Sequence, residues 1–231
     1  MEIYQLLLKG GIIMIPIGLL SLVGLAIVIE RFFSLKKSVI LPVGLKERIK
    51  LLIREDKTEE AGKILKNHAS PFGRLLYFVI KNSSFSRTEM IQALEERGNI
   101  EAHNLGKSVE YIGVISSTTP LLGLLGTVTG MIGVFRDVMN QAGLKGVNPS
   151  LLAGGIWEAL LTTAAGLTVA IPLFLAYRYL ALKVDSSILE LEEETLDVVN
   201  YLYPGLEEGI SRYEKSPKPS TTSSEQSKGK Q

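Results

Sequence analysis

Glu158 is the one charged side chain in the otherwise uncharged run Gly146–Tyr177. A carboxylate in such a run is costly in hydrocarbon. Such groups face a bundle interior or a watery path and mark routes for ions or protons. The competing reading is a structural glutamate, protonated or hydrogen-bonded, that fixes helix packing. Thr162 follows four residues later and shares its helical face, and Thr163 points further round. In a second uncharged run, Tyr111–Phe135, Thr127 and Thr129 fall at comparable depth if the two runs are antiparallel. Hydroxyls there can line a narrow polar path. A membrane threonine also often bonds its own i−4 carbonyl, so the packing alternative stays open. With Glu158 at the same level, the set Glu158, Thr127, Thr163, Thr162 and Thr129 reads as an ion pathway.

Other chemistry has little to rest on. No Gly-rich phosphate loop of Walker or Rossmann form is present. His68 and His103 are isolated, there is no cysteine, and no metal or cofactor is expected. The chain is therefore not expected to be an enzyme. Gly123, Gly126, Gly130 and Gly133, spaced by 3, 4 and 3, share one face and suit close helix packing. Pro120 and Pro172 interrupt the local hydrogen-bond ladders and are candidate kinks. Trp157 carries no assigned role.

The elements that must position these groups follow from the charge distribution. The chain of 231 residues has 25 Lys and Arg against 24 Asp and Glu, averages that a soluble domain would also show. Three stretches break the average. Gly10–Ile29, Tyr111–Phe135 and Gly146–Tyr177 make up about a third of the chain and hold a single charge, Glu158, while every other charge lies outside them. About 20 apolar residues cross a bilayer, so the chain reads as a membrane protein with three candidate spans. This excludes a purely soluble enzyme, a disulfide-stapled secreted domain and a strongly basic nucleic-acid binder. The first span lacks a small-residue cleavage site and reads as retained. Fifteen basic residues lie between spans 1 and 2 and seven after span 3, against two between spans 2 and 3. Basic residues mark the cytoplasmic side, so the N-terminus is expected outside and the C-terminus inside.

The segment Glu30–Glu110 reads as helical. Thr58 is a candidate cap. Ser70-Pro71 combines a cap with proline at the first helical position. Ser86-Arg87-Thr88-Glu89 has the pattern of a capping box. Beyond it Ile91, Leu94, Gly98, Ala102, Leu105, Val109 and Ile112 step by three and four without a breaker, so one helix of roughly 70 Å runs into span 2. Asn148-Pro149 opens span 3. Past Arg178, Ile188, Leu191, Thr195, Val198 and Leu202 continue as a coiled-coil-like stripe. Pro204-Gly205 stops it, and from Ser216 the tail reads as disordered.

The block Thr119–Met131 (TPLLGLLGTVTGM) and the block Gly155–Leu167 (GIWEALLTTAAGL), followed by Ala170-Ile171-Pro172, resemble the span-2 and span-3 signatures of the MotA/TolQ/ExbB proton-channel family. The resemblance covers about residues 105–200 and is to the ExbB/TolQ branch, since MotA-like stators have four spans. It implies a homopentamer whose span-2 and span-3 helices surround a pore. The pore would hold the single helices of an ExbD-like or TolR-like partner dimer, with an aspartate on that helix carrying the proton. Work would pass to a TonB-like or TolA-like periplasm-spanning protein. By motif position Glu158 takes the family's span-3 glutamate, Thr127 and Thr163 its polar pore threonines, and Pro120 its span-2 proline. Thr129 stands where relatives often carry an aromatic, and Thr162 where many carry a small apolar residue. Both departures make the path more polar and leave sodium as the alternative to the proton.

The expectation is thus an all-α inner-membrane protein with three transmembrane helices, in contact with lipid and not with nucleic acid. It divides into 1–35 (first span), 36–86 (cytoplasmic helices), 87–138 (long helix with span 2), 139–148 (periplasmic turn), 149–203 (long helix with span 3) and 204–231 (tail). A membrane scaffold and the membrane subunit of an ATP-driven transporter are the rival functions.

Overall fold

The computed structural model describes residues 11–141 and 149–203. Of the turn expected at 139–148, residues 139–141 belong to a helix instead, while 142–148, with Asn148, and the tail beyond Tyr203 lie outside the described residues. Within them the fold is all-α. A first apolar helix, α1 (Met14–Ser34), is followed by four short helices: α2 (Lys37–Ile40), α3 (Leu45–Arg54), α4 (Thr58–Lys66) and α5 (Pro71–Lys81). Two long helices complete it, α6 (Arg87–Gln141) and α7 (Pro149–Leu202). Three helices, α1, α6 and α7, are long and apolar enough to cross a membrane.

Local chemistry sets the boundaries. At α6 the Glu89 amide donates to Ser86 Oγ at 3.3 Å, and the Ser86 amide donates to Glu89 Oε2 at 2.8 Å. That reciprocal pair is a capping box, and it holds the Glu89 carboxyl below the usual carboxylate range through the Ser86 amide. At α5 the Gly73 amide donates to Ser70 Oγ at 3.0 Å, with Pro71 in the first turn. His68 joins this cap through Nδ1, 2.9 Å from Ser70 Oγ, which gives that histidine a structural task. Thr58 does not cap α4. It is the first helical residue, Lys57 occupies the cap position, and no side chain bonds the free amides. The turn before it explains the shift: Asp56 takes φ 60°, and the Lys57 amide closes onto the Leu52 carbonyl at 2.9 Å, a Schellman-type stop.

The 55 residues of α6 span roughly 80 Å, and α7 with 54 is almost as long. The two lie antiparallel along their whole length. Gly106 faces Val184, Gly113 faces Tyr177, Gly123 faces Gly166 and Gly130 faces Ala159. Both helices continue across their interior prolines, Pro120 and Pro172.

One core runs from the short helices into the membrane segments. Its lower part gathers Ile49, Leu65, Phe72, Leu76, Met90, Val198 and Val199, all buried. Its upper part continues through Leu105, Val109, Ile112, Ile115, Leu173 and Leu180. The two stripes read from the sequence, on α6 before span 2 and on α7 after span 3, thus face each other and the short helices. Ion pairs tie the outside of this assembly: Lys37 to Glu190 at 2.8 Å, Lys46 to Glu194 at 2.5 Å and Lys50 to Asp197 at 2.7 Å. α1 rests on both long helices. A β-carbon at Gly24 would stand 2.8 Å from Leu173 Cδ1 and 3.4 Å from Ile115 Cγ2, so a larger residue there would require the Leu173 side chain to move.

Candidate site in the helix seam

The α6–α7 seam is narrow because small residues meet on both sides. At Gly123 a β-carbon would stand 3.0 Å from the Thr162 carbonyl oxygen, and at Gly166 one would stand 3.0 Å from that of Thr119. At Gly126 it would collide with the Thr162 side chain, and at Gly130 with Ala159, at 2.9 Å. These glycines let two backbones approach to where side-chain hydroxyls reach across to carbonyls. Gly133 differs from the other three, since nothing stands within 4 Å of its β position.

Thr127 and Thr163 meet in this seam, hydroxyl to hydroxyl. Thr163 Oγ1 lies 2.9 Å from the Gly123 carbonyl and Thr127 Oγ1 lies 3.1 Å from that of Ala159. Each hydroxyl has one hydrogen. Thr127 donating to Thr163, and Thr163 to the Gly123 carbonyl, uses both. Thr162 is 2% exposed and donates to the Ala159 carbonyl three residues back, at 2.7 Å. Thr129 donates to the Leu125 carbonyl at 2.9 Å.

Glu158 lies elsewhere. It borders a cleft of about 330 Å³ between the segment just before α1, the C-terminal part of α6 and the N-terminal part of α7. Thr129, Gly130, Gly133 and Thr162 share the lining, with Gly11 and Ile12, just before α1, closing it. A β-carbon at Gly11 would stand 3.6 Å from Glu158 Oε1, so that backbone lies beside the carboxylate. Glu158 has no hydrogen bond or ion pair among the described residues. The structure therefore divides the five candidates. Glu158, Thr129 and Thr162 share one cleft, and Thr127 pairs with Thr163 in the seam beside it. Five residues separate Glu158 from Thr163, about 7 Å of rise and about 140° of rotation.

The cleft has a second carboxylate that sequence reasoning passed over. Asp137 lines it together with Glu158. Its signal was present: Asp137 follows Thr129 and Gly133 at spacings of four, on one helical face. It was hidden by its place just beyond the uncharged run, where a charge reads as an ordinary helix end.

A model of the MotA/TolQ/ExbB proton channel family matches residues 53–193. A Synechocystis sp. relative described as putative biopolymer transport protein ExbB-like 1 is 33% identical over 178 residues, which cover 75% of this chain and 68% of that protein. Biopolymer transport protein exbB1 of Vibrio cholerae is 37% identical over 106 residues, covering 46% of this chain and 45% of its own length. Tol-Pal system protein TolQ of Haemophilus influenzae is 36% identical over 96 residues, covering 42% and 41% respectively. The family match starts at the end of α3, takes in the whole described seam and ends in the lower part of α7, and on that extent the chain belongs to the MotA/TolQ/ExbB proton channel family.

Proposed function

We propose that this chain is the channel-forming subunit of an inner-membrane motor driven by the proton-motive force, in the manner of ExbB and TolQ proteins. Several copies, five by resemblance, surround the single helices of an ExbD-like or TolR-like dimer. Glu158 governs ion entry, and Thr127 and Thr163 meet the partner's titrating aspartate. The energy passes to a TonB-like or TolA-like protein. The observation that carries the reading is the position of Glu158: the lone charge of its apolar run lines an open cleft instead of a packed seam. A carboxylate kept for packing would be expected to carry hydrogen-bond partners. Asp137 in the same cleft extends the polar route toward the end of α6. The proton is the default coupling ion.

The test is co-expression with a one-span, aspartate-bearing membrane protein from the same genome. A co-purifying complex with several copies of this chain, and loss of proton uptake in proteoliposomes on Glu158→Gln with the complex intact, is the expected result. A stable monomer that ignores the partner removes the motor reading.

A scaffold reading has one observation in its favour. The hydroxyls of Thr127, Thr162 and Thr163 are all satisfied by backbone or by one another, as packing alone would require. It leaves Glu158 without a purpose.

A further inference from the structure

A second cavity, of about 410 Å³, lies far from Glu158, where α5 meets the end of α4 and the N-terminal part of α6. Four cations border it, Lys66, Arg74, Lys81 and Arg97, against a single carboxylate, Glu101. Glu101 is 8% exposed and already committed: Arg74 donates to it from Nε at 2.8 Å and from Nη2 at 2.5 Å. Arg74 also donates from Nη1 to the Ala69 carbonyl at 2.5 Å, so its guanidinium is fixed in place. Lys66, Lys81 and Arg97 have no carboxylate partner among the described residues. Arg97 lies 5.5 Å over the Phe78 ring, a contact that positions the guanidinium without neutralising it.

The excess is local. On another side of the same assembly Lys37, Lys46 and Lys50 each meet a carboxylate of α7. Around this cavity Lys66, Lys81 and Arg97, all exposed, line the wall with none. Like charges held about a concavity repel one another unless an anion joins them, and lysine and arginine forks suit phosphate oxygens. The volume falls within the range of small-molecule sites.

We infer that this cavity binds a soluble phosphate-bearing anion, held by Lys66, Lys81 and Arg97, with the Arg74–Glu101 pair as its fixed floor. A lipid headgroup of the surrounding bilayer is too distant. Arg97 and Tyr111, where the uncharged run begins, belong to the same unbroken helix. They stand about four turns apart, roughly 20 Å, against a headgroup layer of about 5–8 Å. A compact cavity, as opposed to a long groove, favours a small molecule over an acidic protein segment.

Titration calorimetry on the purified full chain in neutral detergent, with pyrophosphate and then ATP as probes, tests this. Saturable binding at one site per chain is expected. Lys81→Gln and Arg97→Gln should each weaken it about tenfold or more, the loss of one charge-assisted contact. Arg97→Lys should restore most of it, and Lys107→Gln, outside the cavity, should leave it unchanged. Absence of saturable binding overturns the inference. So does equal weakening by Lys107→Gln, which would mean diffuse charge attraction. Repeating the titration in nanodiscs separates the sources: pyrophosphate binding lost only in anionic lipid assigns the cavity to a headgroup, and displacement by a polyglutamate peptide at lower concentration than pyrophosphate assigns it to a protein segment. Either outcome overturns the soluble ligand. None of these results depends on ion conduction at Glu158.

Discussion

Thr127 and Thr163 bond hydroxyl to hydroxyl across the α6–α7 seam, and this pair sits beside the cleft that holds Glu158, not inside it. Neither hydroxyl of the pair lines the cleft, so the pair can be changed without replacing a cleft residue, whereas Gly126, Gly130, Ala159 and Thr162 belong to both seam and cleft.

For the pair, Thr163→Val keeps the shape and removes the hydroxyl that reaches the Gly123 carbonyl. Hydrogen bonds between membrane helices contribute about 0.6 kcal/mol on average, up to about 1.7 kcal/mol. A double-mutant cycle of Thr127→Val and Thr163→Val, read by unfolding in mixed detergent, should give a coupling in that range. Under the proposed role, in which this pair meets the partner's titrating aspartate, energy transfer should fall much further than stability does. Thr163→Ser should keep both. Loss of transfer in strict proportion to stability would return the pair to packing.

For the carboxylate, Glu158→Gln should leave the unfolding free energy within about 0.5 kcal/mol, as for a side chain with no bonded partner among the described residues. Proton uptake by the reconstituted complex should be abolished. Asp137→Asn should slow uptake without abolishing it, because Asp137 lines the cleft with Glu158 but stands nearer the end of α6. Equal loss in both variants would make the two carboxylates one unit.

The helix scaffold was legible because its signals are local. The capping box at Ser86 and Glu89, the Ser70-Pro71 start and the stripes ending at Ile112 and Leu202 are each readable within a few turns. The site was half legible. Glu158 stands out by cost alone, and the glycine face from Gly123 to Gly130 announces a close contact. Which threonine joins Glu158 depends on the rotation of α7 against α6, a long-range property that spacing along one helix does not encode. Thr163 and Glu158 share a motif but not a face. Asp137 joins the cleft through packing of α6 against α1 and α7, and the cation cavity joins three short-range neighbourhoods whose charges look like ordinary solvated faces when read singly.

The glycine face gives a graded prediction. Gly126→Ala would drive a methyl group into Thr162, and Gly130→Ala one into Ala159. Overpacking of this kind costs about 1–3 kcal/mol and forces the helices apart. Both variants should destabilise the chain and break the Thr127–Thr163 bond. Gly133→Ala meets open space and should be neutral or slightly stabilising, as alanine is the better helix former. Thermal unfolding of the three variants side by side checks the order.

The ion pairs that hold α3 to the lower part of α7 set a pH limit. The ammonium of Lys50, and then that of Lys46, hold the Asp197 carboxyl below its ordinary value. A carboxyl with a depressed value in the folded state adds stability that is complete above its unfolded value of about 4 and is lost as the pH falls through the folded one. Hydrogen exchange in α3 should therefore be flat from pH 8 to about pH 5 after correction for intrinsic rates, and rise below about pH 4. Exposed pairs contribute only about 0.2–1 kcal/mol each, so the rise should be a few-fold. Asp197→Asn should produce the same rise at neutral pH, and high salt part of it. Lys57, whose ion pair is with Glu55 and not with a carboxylate of α7, is the control: Lys57→Gln should leave the α3 profile at neutral pH as it is. An exchange rate in α3 that ignores both acid and Asp197→Asn would mean that burial of Leu45 and Ile49 alone keeps the helix in place.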